Sequence, residues 1–333
     1  MLILTNCLVK NADEGSINIA YNLINRIKTA VKNVQVVSYE RISELTDIQV
    51  KANKLMITLP LIKLLRKENK VLYIPFPARM LPTSLRIWIL SRYCKDLSVL
   101  ISMHDGIDKL SGFLLKKSKA KLYTVSEKAY KDFSAVAGNQ VTYIKTGVDT
   151  KKFHPVDQIT KSALRNKYGI QENAKVVLHV GHLNEGRNIQ QLLNLDDEYF
   201  LVLVTSTFTK GEQDKQLKEA FLKRKNTLLI DSFVENIEEI YQLSDLYLFP
   251  VVEAGHCIDV PLSVLEAASC GISVLTTDYG EAEVFKNCEG FSYISSFERI
   301  NELVNKLIDE KTNNTGDTVS DYDWNNAVEI LSR

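Results

Sequence analysis

The chain has 333 residues, of which 45% are hydrophobic and 25% are charged, and its 41 basic side chains balance 41 acidic ones. This length predicts two domains rather than one core, and the composition excludes a disordered or fibrous chain. A membrane span and a signal peptide are not expected, because no run of about 18 apolar residues occurs and the chain opens on a strand pattern. The five cysteines are odd in number and show no CxxC spacing, which predicts reduced thiols in a cytoplasmic protein.

The first half of the chain alternates short apolar runs with helical patterns. The predicted strands are residues 2–9, 34–39, 55–59, 71–75, 98–103, 122–125 and 141–144. The predicted helices are residues 16–30, 83–93 and 127–136. This alternation predicts βα units and a parallel sheet.

The second half restarts the rhythm after residues 147–158, a stretch of turn-forming residues that we predict to be a linker. Its predicted strands are residues 176–180, 200–204, 227–230, 246–249 and 273–276. Its predicted helices are residues 188–195, 237–243, 261–270 and 300–309, and a polar loop over 312–321 precedes a last helix. Two doubly wound domains would place the carboxyl ends of their strands, where such folds bind ligands, against a shared crevice.

The turn after the predicted strand 176–180 is rich in small, polar and charged residues. Gly181 ends the strand, and a helix is predicted from Asn188. A helix N-terminus has unpaired N–H groups and the positive end of the dipole, which favour an anion. Arg187 adds a fork of donors suited to phosphate oxygens, and His182 adds a further donor. The turn is interpreted either as a phosphate site or as an ordinary glycine-containing connection.

Residues 251–271 place a carboxylate in an otherwise apolar helix. Glu266 lies one turn after Pro261, where a carboxylate is costly to bury unless it accepts hydrogen bonds. The vicinal hydroxyls of a sugar are suitable donors, as in the acid–ribose contact of dinucleotide folds. The alternative is a carboxylate that accepts backbone N–H groups. His256, Cys257 and Asp259 precede it without a metal-binding spacing, so no metal site is predicted.

His104 and Asp105 stand where the predicted strand 98–103 ends. A histidine at this edge of a sheet either exchanges a proton or a hydrogen bond with a ligand, or is structural. The sequence contains no GxSxG, GxxxxGK[ST] or GxGxxG pattern and no kinase motif set. The usual support for a hydrolase or a P-loop protein is therefore absent.

Six segments, in this order, resemble those of the retaining, nucleotide-sugar-dependent enzymes of glycosyltransferase family 4. They are TGVDTKKFHP (146–155), LRNKYGI (164–170), VGHLNEGRN (180–188), LSDLYLFP (243–250), PLSVLEAASCG (261–271) and DWNNAVEIL (323–331). The resemblance covers most of the chain and implies the GT-B fold, an α/β architecture with two Rossmann-like domains that face a central cleft. It implies an acceptor domain over 1–150, completed by a C-terminal helix over 321–333, and a donor domain over 151–320.

The resemblance also implies roles in donor binding and catalysis. Arg187 takes the position of the basic residue that holds the donor diphosphate. His182 replaces its usual arginine partner, in a loop whose family pattern is G-R-L-x-x-x-K-G. Glu266 takes the position of the glutamate that binds the ribose hydroxyls, and His104 that of the histidine that approaches the donor sugar. His104 and Arg187 are thereby predicted to be catalytic.

Further donor-binding positions follow from the same resemblance. Gly181 opens the diphosphate loop, and Gly15, within Glu14-Gly15-Ser16, is the remaining glycine of the loop after the first strand. Phe233 and Val234 are expected to line the nucleobase. The backbone as far as Leu262 is expected to present N–H groups to the sugar or the phosphates.

The first glutamate of the family's pair has no direct counterpart. Eight residues before Glu266 stands Ile258, whose side chain cannot act as a carboxylate. Asp259 is one residue away, and Glu253 lies further upstream. We predict that Asp259 is the third catalytic residue, with Glu253 as the alternative.

The chemistry that the resemblance implies needs neither a cofactor nor a metal. The donor is a nucleoside-diphosphate sugar, and basic side chains stabilise the charge that grows on the leaving diphosphate. Retention in this family is thought to proceed on one face of the sugar, so that the leaving phosphate oxygen helps to deprotonate the acceptor hydroxyl. A separate general base is therefore not expected.

The predicted acceptor domain is positively charged. Residues 1–150 carry 23 lysines and arginines against 12 acidic residues, whereas the rest of the chain carries 18 against 29. Basic and large apolar residues are mixed over 64–70, 78–95 and 112–121. This pattern suits a lipid-linked acceptor and peripheral contact with an anionic membrane. A soluble glycan acceptor and an ordinary solvated surface are the alternatives, and no nucleic-acid partner is expected.

Two other functions are kept as alternatives. A GT-B-fold epimerase acting on the nucleotide sugar would need acidic and histidine groups for proton abstraction. A catalytically silent nucleotide-sugar-binding module is favoured by the departures at His182 and Ile258. Turnover of a nucleotide sugar by the purified protein would separate an enzyme from the silent module.

Overall fold

The computed structural model describes residues 1–10, 15–40, 43–51, 57–76, 79–205, 214–253, 256–310 and 315–333. The chain divides into two compact units. Unit 1 consists of Met1–Thr146 and Trp324–Arg333, and unit 2 of Gly147–Asp323. Each unit is built on its own parallel sheet, so the predicted α/β class with two domains is confirmed.

The described strands, in chain order, are β1 (Leu2–Cys7), β2 (Gln35–Glu40), β3 (Ile48–Gln49), β4 (Val71–Ile74), β5 (Leu97–Ile101), β6 (Lys121–Thr124), β7 (Val141–Tyr143), β8 (Lys175–Gly181), β9 (Tyr199–Thr205), β10 (Thr227–Ile230), β11 (Leu246–Phe249), β12 (Ser273–Thr276) and β13 (Phe291–Tyr293). The described helices are α1 (Gly15–Ala30), α2 (Leu59–Leu65), α3 (Met80–Leu90), α4 (Lys109–Ser118), α5 (Glu127–Ala137), α6 (Gln158–Lys167), α7 (Lys215–Lys223), α8 (Ile237–Gln242), α9 (Leu262–Ser269), α10 (Ile300–Glu310), α11 (Thr315–Thr318) and α12 (Trp324–Ser332).

The sheet of unit 1 has the order β3-β2-β1-β4-β5-β6-β7 among the described residues, and its recorded pairings are parallel. Every residue of β4 and β5 is buried. Continuous apolar strands of this kind are typical of a parallel sheet that is covered on both faces. The strand order reverses between β1 and β4, and the carboxyl ends of strands at such a switch point are where doubly wound folds bind ligands.

The last helix completes unit 1. α12 packs against α1 and buries Trp324, Ala327, Val328 and Leu331. α1 is amphipathic and buries the residues Ser16, Ile17, Ile19, Ala20, Leu23, Ile24 and Ile27. The apolar face of α12, at helical spacing, therefore has its partner in the first helix of the chain.

The sheet of unit 2 has the order β10-β9-β8-β11-β12-β13 over the part of the chain that the structure describes. β8 pairs in parallel with β9 along its whole length, from Lys175↔Tyr199 to Gly181↔Thr205. On its other side β8 pairs with β11. The switch point of this sheet thus lies between β8 and β11, so the turn after β8 and the loop after β11 start side by side.

A buried ion pair fixes the start of unit 2. Arg165 is 4% exposed and donates to the Asp245 carboxylate at 2.7 Å and to the Leu243 carbonyl at 3.0 Å. Asp245 also accepts from Lys161 at 2.7 Å and from the Val176 N–H at 2.8 Å. The segments LRNKYGI and LSDLYLFP are therefore joined by one carboxylate, which ties α6 to the starts of β8 and β11.

The structure corrects the predicted strand over 55–59. Residues 55 and 56 lie outside the described residues, and Leu59 begins α2. The Thr58 hydroxyl accepts the Leu61 N–H, and Pro60 lies in the first turn. A capping threonine followed by proline in the first turn favours a helix, and here it outweighs the short apolar run.

The predicted linker over 147–158 starts at the boundary between the two units and is packed into unit 2. Val148 is fully buried, its N–H donates to the Tyr322 carbonyl at 3.1 Å, and it forms a parallel bridge with Asp323. The Thr150 N–H and hydroxyl donate to the Asp323 carboxylate at 3.0 and 2.6 Å. This segment is a packed part of unit 2, and α6 begins at Gln158.

The end of the chain departs from the predicted loop in the same way. Residues 312–314 of the predicted loop lie outside the described residues, but Thr315–Thr318 form α11 and Ser320–Tyr322 form a 3₁₀ turn. Within the described residues, no helix is long and apolar enough to cross a membrane.

Candidate functional site

Gly181, at the carboxyl end of β8, leaves room for an arginine. A Cβ atom at Gly181 would lie 2.7 Å from Nη1 of Arg187 and 3.1 Å from Nε2 of His179. The Arg187 guanidinium therefore occupies the space where another residue at 181 would carry its side chain. The structure brings together two of the predicted donor-binding residues, six positions apart in sequence.

The helix predicted over 188–195 is not an α-helix. Glu185–Arg187 and Ile189–Asn194 are two 3₁₀ turns, separated by Asn188 in the left-handed conformation, φ 59°. The Asn184 side chain accepts the Arg187 N–H at 2.9 Å. Asparagine side chains compete with backbone hydrogen bonds and tolerate the left-handed region, so this sequence forms turns. The expected helix terminus is therefore absent here, and side chains must supply the strongest donors.

Arg187 is held by the loop that follows β11. Its Nε donates to the His256 carbonyl at 2.8 Å. The His256 ring covers Gly186, where a Cβ would overlap the imidazole. The Asn188 side chain donates to the Pro250 carbonyl at 3.2 Å, which fixes the same turn to the end of β11.

Tyr279 anchors the loop after β11 through two hydrogen bonds. Its hydroxyl accepts the Cys257 N–H at 3.2 Å and donates to the Cys257 carbonyl at 2.5 Å. The Tyr279 ring is buried and packs edge-on against Phe249, with ring centroids 6.0 Å apart. A buried tyrosine thus satisfies both backbone groups of one loop residue.

The residues considered for the missing glutamate have different surroundings. Ile258 is buried, and Asp259 is partly buried, with its carbonyl accepting the Glu281 N–H at 2.7 Å. The Glu253 side chain is exposed and lies 3.3 Å from Nε2 of His256. Gly255 lies outside the described residues.

Glu266, on α9, has a protected carboxylate. The Tyr241 hydroxyl donates to its Oε2 at 2.7 Å. Burial raises the pKa of Glu266 to about 7, while this hydrogen bond and the Lys152 ammonium act in the opposite direction. Lys152 itself pairs with Glu238 at 3.1 Å. The carboxylate therefore lies in a polar group of side chains and titrates near neutral pH.

The other donor-binding predictions fall around α9 and β10. Phe233, after β10, is 53% exposed, and Val234 is partly buried. Leu262 is buried, because its side chain packs against Gly147, where a Cβ would lie 2.9 Å from a Leu262 methyl. His182 is 6% exposed, so its imidazole is packed within unit 2.

His179 is a buried polar residue that the sequence did not single out. Its Nδ1 lies 2.8 Å from the Leu248 carbonyl, and its ring stacks on Tyr247. Burial lowers the pKa of His179 to about 4, helped by the nearby Arg187 charge. The ring is therefore neutral, with the proton on Nδ1 facing the carbonyl.

In unit 1, His104 follows β5 and is partly buried. Its Nδ1 accepts the Gly106 N–H at 3.2 Å, which leaves Nε2 as the N–H donor of the neutral ring. Its ring packs edge-on against Phe133, with centroids 5.1 Å apart. Asp105 accepts the Met80 N–H at 2.8 Å and so caps α3. These contacts orient the histidine at the carboxyl end of β5.

Gly15 begins α1 in the same unit, and Ser16 beside it is buried; Glu14 lies outside the described residues. Over the described ranges, no group of three or more His, Cys, Asp or Glu side chains is placed to hold a metal ion. Independence from metals stays a prediction.

The family described as "Glycosyl transferases group 1" has a model that matches residues 160–320. All of these residues belong to unit 2. Over that range, unit 2 is similar to the group 1 glycosyltransferase domain. Its diphosphate-loop candidate and its Glu266 helix both lie inside the matched range.

Curated relatives match about half of the chain. The chain is 26% identical over 184 residues to the alpha-galactosylglucosyldiacylglycerol synthase of Streptococcus pneumoniae, covering 52% of this chain and 48% of that protein. It is 26% identical over 182 residues to the Escherichia coli UDP-Gal:alpha-D-GlcNAc-diphosphoundecaprenol alpha-1,3-galactosyltransferase, covering 51% and 44%. The chain thus matches about half the length of these relatives.

Solved structures share the fold over the whole chain. The crystal structure of Anabaena HepE in complex with UDP has a TM-score of 0.76 at 14% identity, covering 100% of this chain and 98% of that one. HepE has also been crystallised with UDP-glucose. A glycosyltransferase from Rickettsia africae has a TM-score of 0.76 at 13% identity, covering 99% and 97%. The predicted GT-B fold is confirmed.

Sequence reasoning did not predict the contacts that support this site from a distance. His256 and Tyr279 fix the turn of Arg187, and Tyr241 binds Glu266. They lie 69, 22 and 25 positions from the residues that they contact. The sequence marks these three residues only as polar or aromatic side chains at or near the ends of predicted strands and helices.

Proposed function

We propose that the chain is a retaining glycosyltransferase of family 4 that moves a sugar from a nucleoside-diphosphate sugar to a hydroxyl acceptor, without a metal. The observation that carries the proposal is the placement of the Arg187 guanidinium over Gly181, at the switch point of the unit 2 sheet. Glu266 lies on α9, which follows the adjacent strand β11. An anion-binding donor and a hydroxyl-binding carboxylate thus follow neighbouring strands.

Arg187 would stabilise the leaving diphosphate. Breaking the anomeric C–O bond places negative charge on phosphate oxygens, and a fixed guanidinium fork near them lowers the barrier. The His256 carbonyl takes up Nε of Arg187 and so orients the rest of the fork. Because the turn is 3₁₀ rather than α-helical, we assign most of this stabilisation to the side chain.

Glu266 would accept hydrogen bonds from the ribose hydroxyls. The Tyr241 hydroxyl donates to Oε2 in a hydrogen bond of the same kind, which supports this role. Phe233, exposed at 53%, is a suitable surface for a nucleobase to stack on. We keep the predicted hydrogen bond from Nε2 of His104 to the sugar of the nucleotide-sugar donor. We also keep the predicted role of Asp259 in place of the first glutamate of the family's pair.

For the acceptor, we propose a lipid-linked molecule at an anionic membrane surface. Exposed large apolar residues lie in the first two turns of three unit 1 helices: Leu59 on α2, Leu81 on α3, and Leu110 and Phe113 on α4. Helices that follow parallel strands begin at the carboxyl edge of the sheet. Lys117 lies over the Phe113 ring at 5.8 Å, so basic and apolar groups are interleaved there. The two relatives are named for a diacylglycerol glycolipid and a diphosphoundecaprenol acceptor.

Calorimetry with UDP and uridine tests the donor site, because HepE, a structural neighbour, binds UDP. Arg187→Ala should weaken UDP binding by roughly 1.5–3 kcal/mol, the range for hydrogen bonds to charged groups, and uridine binding much less. Arg299→Ala, an exposed arginine of unit 2, is the matched control. Equal losses for UDP and uridine would contradict the assignment.

Vesicle sedimentation tests the acceptor surface. The protein should bind vesicles containing anionic phosphatidylglycerol more strongly than neutral phosphatidylcholine vesicles, and Phe113→Ser should weaken that binding. Leu222→Ser, an equally exposed apolar residue in unit 2, should leave it unchanged. Equal binding to both vesicle types would favour the soluble acceptor.

A silent nucleotide-sugar-binding module is the second candidate, and the burial of Ile258 at the position of the first glutamate favours it. Incubation of the purified chain with UDP-glucose and chelator distinguishes the two. Released UDP in the chelator supports a metal-independent transferase, whereas binding without any turnover supports the module. Conversion to an isomeric UDP-sugar would identify an epimerase instead.

A further inference from the structure

His256 is an exposed histidine beside the predicted diphosphate loop. None of the predicted ligand-binding roles falls on it. Its carbonyl holds Nε of Arg187 at 2.8 Å, and its ring lies directly over Gly186. The imidazole therefore lies beside Gly186, the residue before Arg187, while the backbone carbonyl of His256 binds the Arg187 guanidinium. This position follows from packing, since any side chain at 186 would displace the ring.

His182, the residue that replaces the expected arginine, has a different environment. It is 6% exposed, whereas the His256 side chain is 41% exposed. A ligand can reach an exposed imidazole without rearranging the core. The donor lost at position 182 therefore has a candidate replacement 74 positions later, in the loop after β11.

We infer that His256 is a ligand of the donor diphosphate and supplies the second side-chain donor beside Arg187. The inference rests on the proposed function, because it deepens the description of the same site. An imidazole carries at least one N–H in either protonation state, so it can donate to a phosphate oxygen in both. Arginine and histidine would then contact the same diphosphate beside the 185–187 turn.

The Glu253 carboxylate lies beside this donor. Its Oε2 lies 3.3 Å from Nε2 of His256, and its side chain is 72% exposed. A phosphate oxygen is an acceptor of the same kind as a carboxylate oxygen and would take its place. Glu253 thereby competes with the diphosphate instead of contacting the donor sugar.

Tyr279 positions His256 without contacting the ligand. Its hydroxyl binds both the N–H and the carbonyl of Cys257, the residue next to His256. Tyr279→Phe removes both hydrogen bonds and keeps the ring against Phe249. The loop then keeps its contacts through Pro250 and Asp259 but loses the one next to His256, so the contacts of His256 and Arg187 loosen together.

The test is calorimetry of the full chain with UDP and with uridine. His256→Gln should weaken UDP binding about tenfold or more, the effect of losing one hydrogen bond to a charged group, and change uridine binding less than about twofold. His256→Arg should restore UDP binding, and Glu253→Gln should strengthen it. His154→Gln, another exposed histidine of unit 2, is the matched control and should leave UDP binding unchanged. Thermal unfolding of each variant confirms that it folds.

The outcomes separate this inference from the proposed function. If the unchanged chain binds UDP and His256→Gln binds it equally well, the role of His256 is overturned and the donor site stands. A larger loss in His182→Gln than in His256→Gln would return the second donor to position 182. If the unchanged chain binds none of UDP, ADP and GDP, the donor site and the role of His256 are both overturned.

Discussion

Replacing Glu266 by glutamine should change how the stability of unit 2 depends on pH. Burial raises the pKa of this carboxyl to about 7 from its ordinary value of 4.5. Below pH 4.5 the carboxyl is protonated in both the folded and the unfolded chain and has no effect. Between pH 4.5 and 7 the unfolded chain loses this proton while the folded chain keeps it, so stability falls as pH rises.

The magnitude follows from the two pKa values. A separation of about 2.5 pH units corresponds to about 3 kcal/mol, which is fully expressed above pH 7. Glutamine has nearly the same volume, does not titrate, and can still accept the Tyr241 hydroxyl. The free energy of unfolding of Glu266→Gln, relative to the unchanged chain, should therefore rise by about 3 kcal/mol between pH 4.5 and 7.5.

Urea unfolding at several pH values measures this difference. The two tryptophans, Trp88 and Trp324, both belong to unit 1, so their fluorescence follows that unit, whereas far-ultraviolet circular dichroism follows both units. Taking the difference between the two proteins removes every titration that they share. A difference in unfolding free energy that does not vary with pH would refute the raised pKa and the protected environment assigned to Glu266.

Three further perturbations have defined outcomes. Asp245→Asn should lower the unfolding free energy by about 3–5 kcal/mol, because it leaves the buried Arg165 guanidinium without its carboxylate; urea unfolding measures this, and a loss below about 1 kcal/mol would contradict it. Gly147→Ala should cost about 1–3 kcal/mol more than Gly138→Ala in the same assay, since both have positive φ but only the first meets leucine side chains of α9. Burial lowers the pKa of His179 to about 4 from an ordinary 6.5, so the neutral ring contributes stability above pH 6.5, and about 3 kcal/mol of it is lost as pH falls towards 4. His179→Gln should remove this dependence of the unfolding free energy on pH. Identical pH profiles of the unfolding free energy in the two proteins would argue against a buried neutral ring.

The sequence predicts many of the strands because they are apolar runs bounded by polar or turn-forming residues. The segments 227–230, 246–249 and 273–276 agree with β10, β11 and β12 at both ends. The segment 55–59 fails for a physical reason: a short apolar run fits a strand and a buried helix equally well. The capping Thr58 and the following Pro60 decide for the helix, and that local signal could have been used.

The site was predictable where neighbours are close in sequence. Gly181 and Arg187 lie in one turn, so their pairing follows from the loop motif. The contact of Arg187 with His256 and the support from Tyr279 depend on the packing of three separate loops. No spacing rule connects such residues, because the sheet order that brings β8, β11 and β12 together is a property of the whole unit.

The assignment of α12 to unit 1 has a consequence for the order in which the protein can fold during synthesis. The ribosome makes Met1–Thr146 first, then all of unit 2, and only then Trp324–Arg333. Until that last segment leaves the exit tunnel, the face of α1 that packs against α12 has no cover. Domains generally fold as units, with the N-terminal domain first. Here unit 1 is synthesised before unit 2 but can complete its fold only after unit 2 has been made. Unit 2 can therefore reach its native state before α12 is available to pack against unit 1.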